Sequence, residues 1–185
     1  MHPERVILGV DPGTNIMGYG IITATGTTVR MVALGVLKLN KYDHHSLRLR
    51  IIFEKTSALI EQYHPDELAI EAPFYGKNVQ SMLKLGRAQG VAMAAALSRS
   101  IPIFEYSPKK IKQSVTGKGS ASKEQVAAML KTLLHYRETP ETMDATDGLA
   151  VAVCHFFQKN EPTPGKRYSG WNSFLKSNPD RYKSF

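Results

Sequence analysis

The chain has 185 residues, of which 42% are hydrophobic, and its 24 Lys and Arg exceed its 16 Asp and Glu to give a net charge of +8. This length allows one compact domain but excludes two large lobes, and the basic balance favours a polyanionic partner. The single cysteine excludes an internal disulfide, and without a signal peptide or an apolar run of ~18 residues we expect a cytoplasmic protein with no membrane contact.

Three strands are predicted before the first helix. The run RVILGVD (5–11) is apolar and ends at Asp11, before Pro-Gly, which is typical of a buried strand followed by a turn. GYGIITAT (18–25) and VRMVALGVLKL (29–39) follow, so the chain begins as a β-meander. Helical spacing of apolar residues then predicts a helix over 46–63, and LAIEAP (68–73) predicts a short buried strand that carries Glu71 near its end.

Strands and helices alternate in the rest of the chain. The pattern predicts a helix over 79–99, a strand over 101–108, a short helix or turn over 109–117, a helix capped by Ser122, and a last helix over 141–159. The fold class is therefore α/β, with a five-stranded mixed sheet flanked by helices on both faces. We place one domain in residues 1–160. Residues 161–185 form a C-terminal extension that is either flexible or docked through its aromatic residues.

Carboxylates follow two predicted strands and open the last helix. Asp11 and Glu71 end apolar runs, and strand ends are where functional groups collect in such sheets. Asp144 and Asp147 share one helix face, a like-charge pair that costs stability unless a cation is near. If the four converge, their oxygens suit Mg²⁺ or Mn²⁺, and two such ions support phosphodiester hydrolysis; a solvated surface pair is the alternative. His155 lies about 16 Å along the helix from Asp144, too far for the same ion.

Four stretches resemble, in order, the RuvC family of bacterial Holliday-junction resolvases: ILGVDPGTNIMGYGII, LAIEAPFYGKNVQSMLKLGRAQGV, YSPKKIKQSVTGKGSASKEQV and DATDGLAVAVCHF. The resemblance covers residues 5–158. It implies an RNase H-like fold whose catalytic and metal-binding acids are Asp11, Glu71, Asp144 and Asp147. It also implies a homodimer that uses Mg²⁺ or Mn²⁺, two ions per active site, to nick opposed strands of a four-way DNA junction in recombination and repair. The resemblance further implies the RuvA-RuvB branch-migration complex as a partner.

The segment from Tyr106 to Lys123 carries five lysines and no acidic residue. This pattern favours phosphate binding over a solvated basic face, and we expect Lys112, Lys118 and Lys123 to bind DNA. The resemblance matches Lys112 and Lys123 to basic residues of the family's DNA-binding surface. The stretch TGKGS within this segment lacks the spacing of a nucleotide-binding P-loop.

The resemblance also assigns a role to an aromatic residue after the second strand carboxylate. In the family, an aromatic residue at Phe74 stacks on an unpaired junction base, a contact worth ~1–3 kcal/mol. Tyr75 is the alternative ring. The helix around GRAQGVAMAAA has small residues that allow close helix packing, and the resemblance favours a dimer contact there, with Met82, Leu85 and Met93 packing across the axis.

Three alternatives differ from this function. DPGTNIMGYG is also similar to the first phosphate loop of actin-like ATPases and sugar kinases, but those proteins need a second lobe for which 185 residues leave no room. Another RNase H-like nuclease would act on other branched or RNA-containing nucleic acid. A structure-specific DNA-binding module would bind the junction without cutting it, and the presence of all four acids speaks against this third alternative.

Overall fold

The computed structural model describes residues 3–73, 78–136 and 143–160. The five strands are β1 Arg5–Asp11, β2 Ile16–Thr25, β3 Thr28–Lys38, β4 Glu67–Glu71 and β5 Ile103–Tyr106. They form one mixed sheet in the order β3-β2-β1-β4-β5. The first three strands pair antiparallel, whereas β4 is parallel to β1 and β5 is parallel to β4. The carboxyl ends of β1, β4 and β5 therefore meet at one edge of the sheet.

Helices cover both faces of this sheet. They are α1 His45–Tyr63, α2 Val79–Leu97, α3 Pro108–Thr116, α4 Lys123–Leu134 and α5 Asp144–Asn160. Because side chains alternate across a strand, neighbours in β1 enter different cores: Ile7 packs with residues of α3, α4 and α5, and Leu8 packs with residues of α1 and α2. The predicted α/β fold with a five-stranded mixed sheet is confirmed.

The predicted helix starts are close to those observed. The Ser122 hydroxyl accepts a hydrogen bond from the Gln125 N–H, and the Gln125 side chain accepts one from the Ser122 N–H, so a capping box begins α4 as expected. The segment predicted as a short helix or a turn is a helix, α3, capped by Ser107. No helix within the described ranges is long and apolar enough to cross a membrane.

Glycines allow α5 to lie very close to the sheet. A Cβ atom on Gly9 would lie 2.2 Å from the Gly148 carbonyl oxygen, and one on Gly18 would lie 2.1 Å from the Asp144 carbonyl oxygen. Real Cβ atoms do not approach backbone so closely, so larger residues here would push the helix away. Since Gly18 pairs with Asp11 across β1 and β2, this contact sets the start of α5 beside the end of β1.

Candidate active site

Two acids are neighbours because two parallel strands end together. Val10 of β1 is in register with Ile70 of β4, so the next residues, Asp11 and Glu71, lie side by side at the sheet edge. Both strands are buried along their length and end at a half-buried carboxylate. The apolar runs seen in the sequence thus place these two carboxylates as predicted.

The first turn of α5 brings a third acid, Asp147, to the same place, whereas Asp144 does not line the cavity and is linked to it through Lys123. Asp11, Glu71 and Asp147 line one cavity of about 230 Å³, together with Lys112 and Lys123. Helix α5 starts at Asp144, so both of its aspartates lie in the first turn, where negative charge interacts favourably with the helix dipole. The remaining lining is mostly apolar and comes from Pro108, Ile111, Val126 and Ala150.

Lys123 joins the two aspartates of α5. Its Nζ lies 3.3 Å from Asp144 Oδ1 and 2.5 Å from Asp147 Oδ2. Burial alone would lower the pKa of Lys123, but the hydrogen bonds and charges of the two aspartates hold it above its ordinary value. A cation therefore already occupies the position between Asp144 and Asp147.

The other two acids lack such a partner. The pKa of Asp11 is raised to about 7, first by burial and then by the charge of Asp147, against a lowering by Lys123. The pKa of Glu71 is raised to about 8 by burial, then by Asp11 and Asp147. Among the described residues, no cation forms an ion pair with Asp11 or Glu71. Both groups would be ionised more readily if a further positive charge entered the cavity.

The donor set fits a divalent metal ion of the hard, oxygen-binding kind. All four side chains are carboxylates, the ligands that Mg²⁺ and Mn²⁺ prefer, and the Lys123 ammonium marks where a cation is accepted. In the described ranges, no three His, Cys, Asp or Glu side chains are already placed to hold an ion. An ion bound by Asp144 and Asp147 would compete with Lys123 for the same oxygens.

The structure describes the three predicted DNA-binding lysines, which lie in two places. Lys112 and Lys123 line the acid cavity. Lys118 lies apart from it, in the turn after α3, and lines a separate cavity of about 420 Å³ between α3 and α4. Phe74 and its alternative, Tyr75, lie outside the described residues.

Sequence reasoning did not identify Gln89, a buried residue of α2. Its Nε2 donates to Glu105 Oε2 at 2.8 Å and lies 3.4 Å from the Glu71 carbonyl oxygen. Gln89 thus links α2 to the end of β4 just where Glu71 leaves the sheet. The only signal in the sequence is one amide side chain within the small-residue stretch GRAQGVAMAAA.

The sheet order and the position of the acids define the structural class of the protein. A mixed sheet of this order, with carboxylates at the ends of two adjacent parallel strands and in the first turn of the last helix, is that of the RNase H-like nucleases. The family model of the crossover junction endodeoxyribonuclease RuvC matches residues 7–155. The chain belongs to the RuvC family. Membership in this family of nucleases implies dependence on a divalent metal ion.

Individual relatives agree with this family over nearly the whole chain. The crossover junction endodeoxyribonuclease RuvC of Cytophaga hutchinsonii is 63% identical over 181 residues, covering 98% of this chain and 90% of that protein. The protein of the same name from Bacteroides fragilis is 61% identical over 182 residues, covering 97% of each. The structure of T. thermophilus RuvC in complex with a Holliday junction substrate matches with a TM-score of 0.78 at 29% identity, covering 84% of this chain and 95% of that one.

Proposed function

We propose that this chain resolves four-way DNA junctions by metal-dependent hydrolysis of phosphodiester bonds, with paired nicks in opposed strands, in recombination and DNA repair. The observation that carries the proposal is the single cavity that Asp11, Glu71 and Asp147 line together with Lys112 and Lys123. The T. thermophilus relative, solved with a Holliday junction substrate, supports the four-way junction as the DNA that is cut. We assign the activity to residues 1–160 and place it in the cytoplasm.

In this proposal, each group of residues has its own task. Asp11, Glu71, Asp144 and Asp147 hold the metal, Mg²⁺ or Mn²⁺, with two ions in the active site. When bound, such ions activate a water and stabilise the leaving oxygen of the cut phosphodiester. Lys112 and Lys123 neutralise phosphate charge beside the acids. The apolar part of the lining restricts water, which strengthens the electrostatic interactions within the cavity.

One experiment separates the proposed function from its alternatives. Purified protein is incubated with Mg²⁺ and a mobile four-way junction, beside linear duplex and an RNA–DNA hybrid, and the cut ends are mapped. We expect nicks at symmetric positions in two opposed strands of the junction only, and none with EDTA. Cutting mainly of the hybrid would instead indicate an RNase H-like activity on RNA, and tight junction binding without cutting would indicate a non-catalytic module.

We also propose a homodimer, with α2 at its interface. A four-way junction offers two equivalent strands, so two identical sites related by a two-fold axis match its symmetry. The exposed apolar residues of α2 include Val79 and Leu83, 62% and 51% exposed, beside an apolar cavity of about 490 Å³. Met93 is partly buried against its own core, and its contact across the axis, with those of Met82 and Leu85, stays a prediction.

The interface is tested by Gly90→Glu. Gly90 is exposed, and a Cβ atom there would meet no atom within 4 Å, so the substitution leaves the fold of one subunit intact. We expect monomers that make single nicks at most. A wild-type protein that sediments as a monomer at micromolar concentration, yet cuts both strands within one binding event, would contradict the dimer.

The RuvA-RuvB branch-migration complex is proposed as a partner, to be tested by co-sedimentation on junction DNA.

A further inference from the structure

A second polar cavity, of about 320 Å³, lies beside the turn that follows β1. Its lining combines two cations, two hydroxyl groups, an amide and an imidazole: Arg48, Lys84, Thr14, Ser81, Asn15 and His45. We call it the Arg48–Lys84 cavity. Asp43 is the one carboxylate among the described residues that line it, so positive charge and hydrogen-bond donors are in excess.

Arg48 is held rigidly in this cavity. Its Nε donates to the Tyr42 carbonyl at 2.7 Å, and its Nη1 donates to the Thr14 carbonyl and to Asn15 Oδ1, both at 2.9 Å. Within the described residues, these bonds leave Nη2 without a partner. A guanidinium fixed in this way offers its free nitrogen at little entropic cost, as recognition of a phosphate oxygen requires.

The other positive charges of the cavity lack an ion pair within the part of the chain that the structure describes. None of the carboxylates in the described ranges forms an ion pair with Arg48, Lys84 or the nearby Arg87. Burial, followed by the charges of Arg87, Lys84 and Arg48, holds the pKa of His45 below its ordinary value, so the imidazole is neutral at pH 7. The enclosed His45 Nε2 has no hydrogen-bond partner among the described residues. A buried nitrogen in this state calls for a hydrogen-bond partner beyond the described side chains, such as a bound ligand.

The position of the cavity relates it to the candidate active site. Thr14 and Asn15 follow Asp11 by three and four residues, and Ser81 lies near the start of α2, the next helix after Glu71. The cavity is thus at the same edge of the sheet as the four acids. It lies on the α1–α2 face, whereas Lys112 and Lys123 belong to α3 and α4 on the opposite face. Positive charge therefore flanks the acids from both sides of the sheet.

We propose that the Arg48–Lys84 cavity binds a backbone phosphate of the junction strand close to the phosphate that is cut. The inference rests on the proposed junction nuclease function and adds a second anchoring point to it. A strand whose cut phosphate lies at the acids must carry further phosphates to either side. Lysines receive the strand on the α3–α4 face, and Arg48, Lys84 and Ser81 receive it on the α1–α2 face. Two anchors fix the strand's direction across the acids.

The test uses Lys84→Gln, because Lys84 is exposed and the variant should fold. Arg50→Gln is the matched control: Arg50 lies on α1 two residues from Arg48, is 72% exposed, and pairs with Glu54 instead of lining the cavity. Junction binding is measured against salt with Ca²⁺ in place of Mg²⁺. We expect Lys84→Gln to bind about tenfold more weakly at ~0.1 M salt, with a log–log salt slope shallower by about one, and Arg50→Gln to stay within about twofold of wild type.

A series of junctions, each with one uncharged methylphosphonate near the cut site, locates the phosphate. At one position the methylphosphonate should weaken binding of Lys84→Gln less than it weakens binding of the wild type, because both changes remove the contact between Lys84 and that phosphate. Inorganic phosphate is the probe for a free anion. The phosphate site is wrong if wild-type protein nicks the junction and Lys84→Gln keeps its affinity and slope. It is also wrong if inorganic phosphate raises the Tm of the wild type but not of Lys84→Gln, while every methylphosphonate position weakens junction binding by the two proteins equally. Failure of the wild type to nick would overturn the proposed function itself.

Discussion

The two ends of β4 each carry a buried carboxylate, but these carboxylates differ in whether a cation of the protein pairs with them. At its start, Glu67 is 6% exposed, and its Oε2 lies 2.8 Å from His155 Nε2 and 3.7 Å from Arg5 Nη1. At its end, Glu71 lies beside Asp11, and no cation of the described residues forms an ion pair with either acid. Only the three residues between them in one strand thus separate a carboxylate that has an ion-pair partner from one that has none among the described residues.

The Glu67 end is a closed network. The Tyr106 hydroxyl lies 2.6 Å from His155 Nδ1, and burial raises the pKa of Tyr106 to about 12, so the hydroxyl keeps its proton. The other ring nitrogen, Nε2, lies 2.8 Å from Glu67 Oε2, and the centroids of the Phe104 and His155 rings are 4.4 Å apart. At Glu67, the surrounding partners allow a buried carboxylate to be kept within the fold. At Glu71 and Asp11, where no ion pair is present among the described residues, the buried carboxylates favour binding of a cation.

The largest expected effect is on cutting and is confined to the Glu71 end. Asp11→Asn, Glu71→Gln, Asp144→Asn and Asp147→Asn should each reduce nicking with Mg²⁺ by about a thousandfold or more, because one ligand oxygen and its charge are lost. Junction binding should survive, since it depends mostly on lysine contacts. The measurement is single-turnover nicking, with Glu54→Gln, an exposed acid on α1, as the control. Near-normal nicking by these variants would exclude a four-carboxylate site.

At the Glu67 end, the largest effect should be on stability. Glu67→Ala removes the carboxylate that the buried His155 and the half-buried Arg5 share, which costs about 3 kcal/mol of the free energy of unfolding. Urea denaturation measures this loss. Nicking by the folded fraction should stay near wild type. If Glu67→Ala unfolds at the wild-type urea concentration but no longer cuts, the two ends of β4 do not differ as described.

The sequence predicted the Glu71 end better than the Glu67 end. A continuous apolar run ending in an acid locates Asp11 and Glu71, since a buried strand must stop where a polar group leaves the sheet. The predicted strand over 68–73 leaves Glu67 outside it, whereas Glu67 is the buried first residue of the observed strand. Its partner His155 is 88 residues away. Only the packing of α5 across the sheet brings the two together, and no local pattern encodes that contact.

A smaller effect concerns pH. Asp11 and Glu71 have ordinary pKa values of 3.8 and 4.5 and folded values of about 7 and 8. Between about pH 4 and pH 8 the native state therefore binds more protons than the unfolded state, so the free energy of unfolding of the metal-free protein should fall as pH rises. Glu71→Gln should flatten this fall and gain roughly 1–2 kcal/mol at pH 8.

Urea denaturation in EDTA from pH 5 to pH 8 measures this dependence. Saturating Mg²⁺ should stabilise the wild type most at the high end of the range, since ionised carboxylates bind the ion. A free energy of unfolding that rises steadily over this range would mean that the acids at the end of β4 are already compensated by the protein.

The smallest expected effects concern the lysines beside the acids. Lys112→Ala and Lys123→Ala should each weaken junction binding by about 1 kcal/mol and make the log–log salt slope shallower by about one. Lys118→Ala should change less, because Lys118 lines a different cavity. Fluorescence anisotropy against salt gives the slopes. Unchanged slopes for both Lys112→Ala and Lys123→Ala would leave these side chains as solvated charges without a phosphate contact.

The close contact of α5 with β1 and β2 has a consequence for synthesis of the protein. Asp11 leaves the ribosome early, but the cavity is complete only when the helix bearing Asp144 and Asp147 has been made and laid on Gly9 and Gly18. Until then, one face of the sheet lacks most of its cover. A nascent or truncated chain that stops before residue 144 carries the basic segment without a finished cutting centre. With Asp144 and Asp147 as proposed metal ligands, we expect such a chain not to cut DNA, so that nuclease activity appears only with the completed fold.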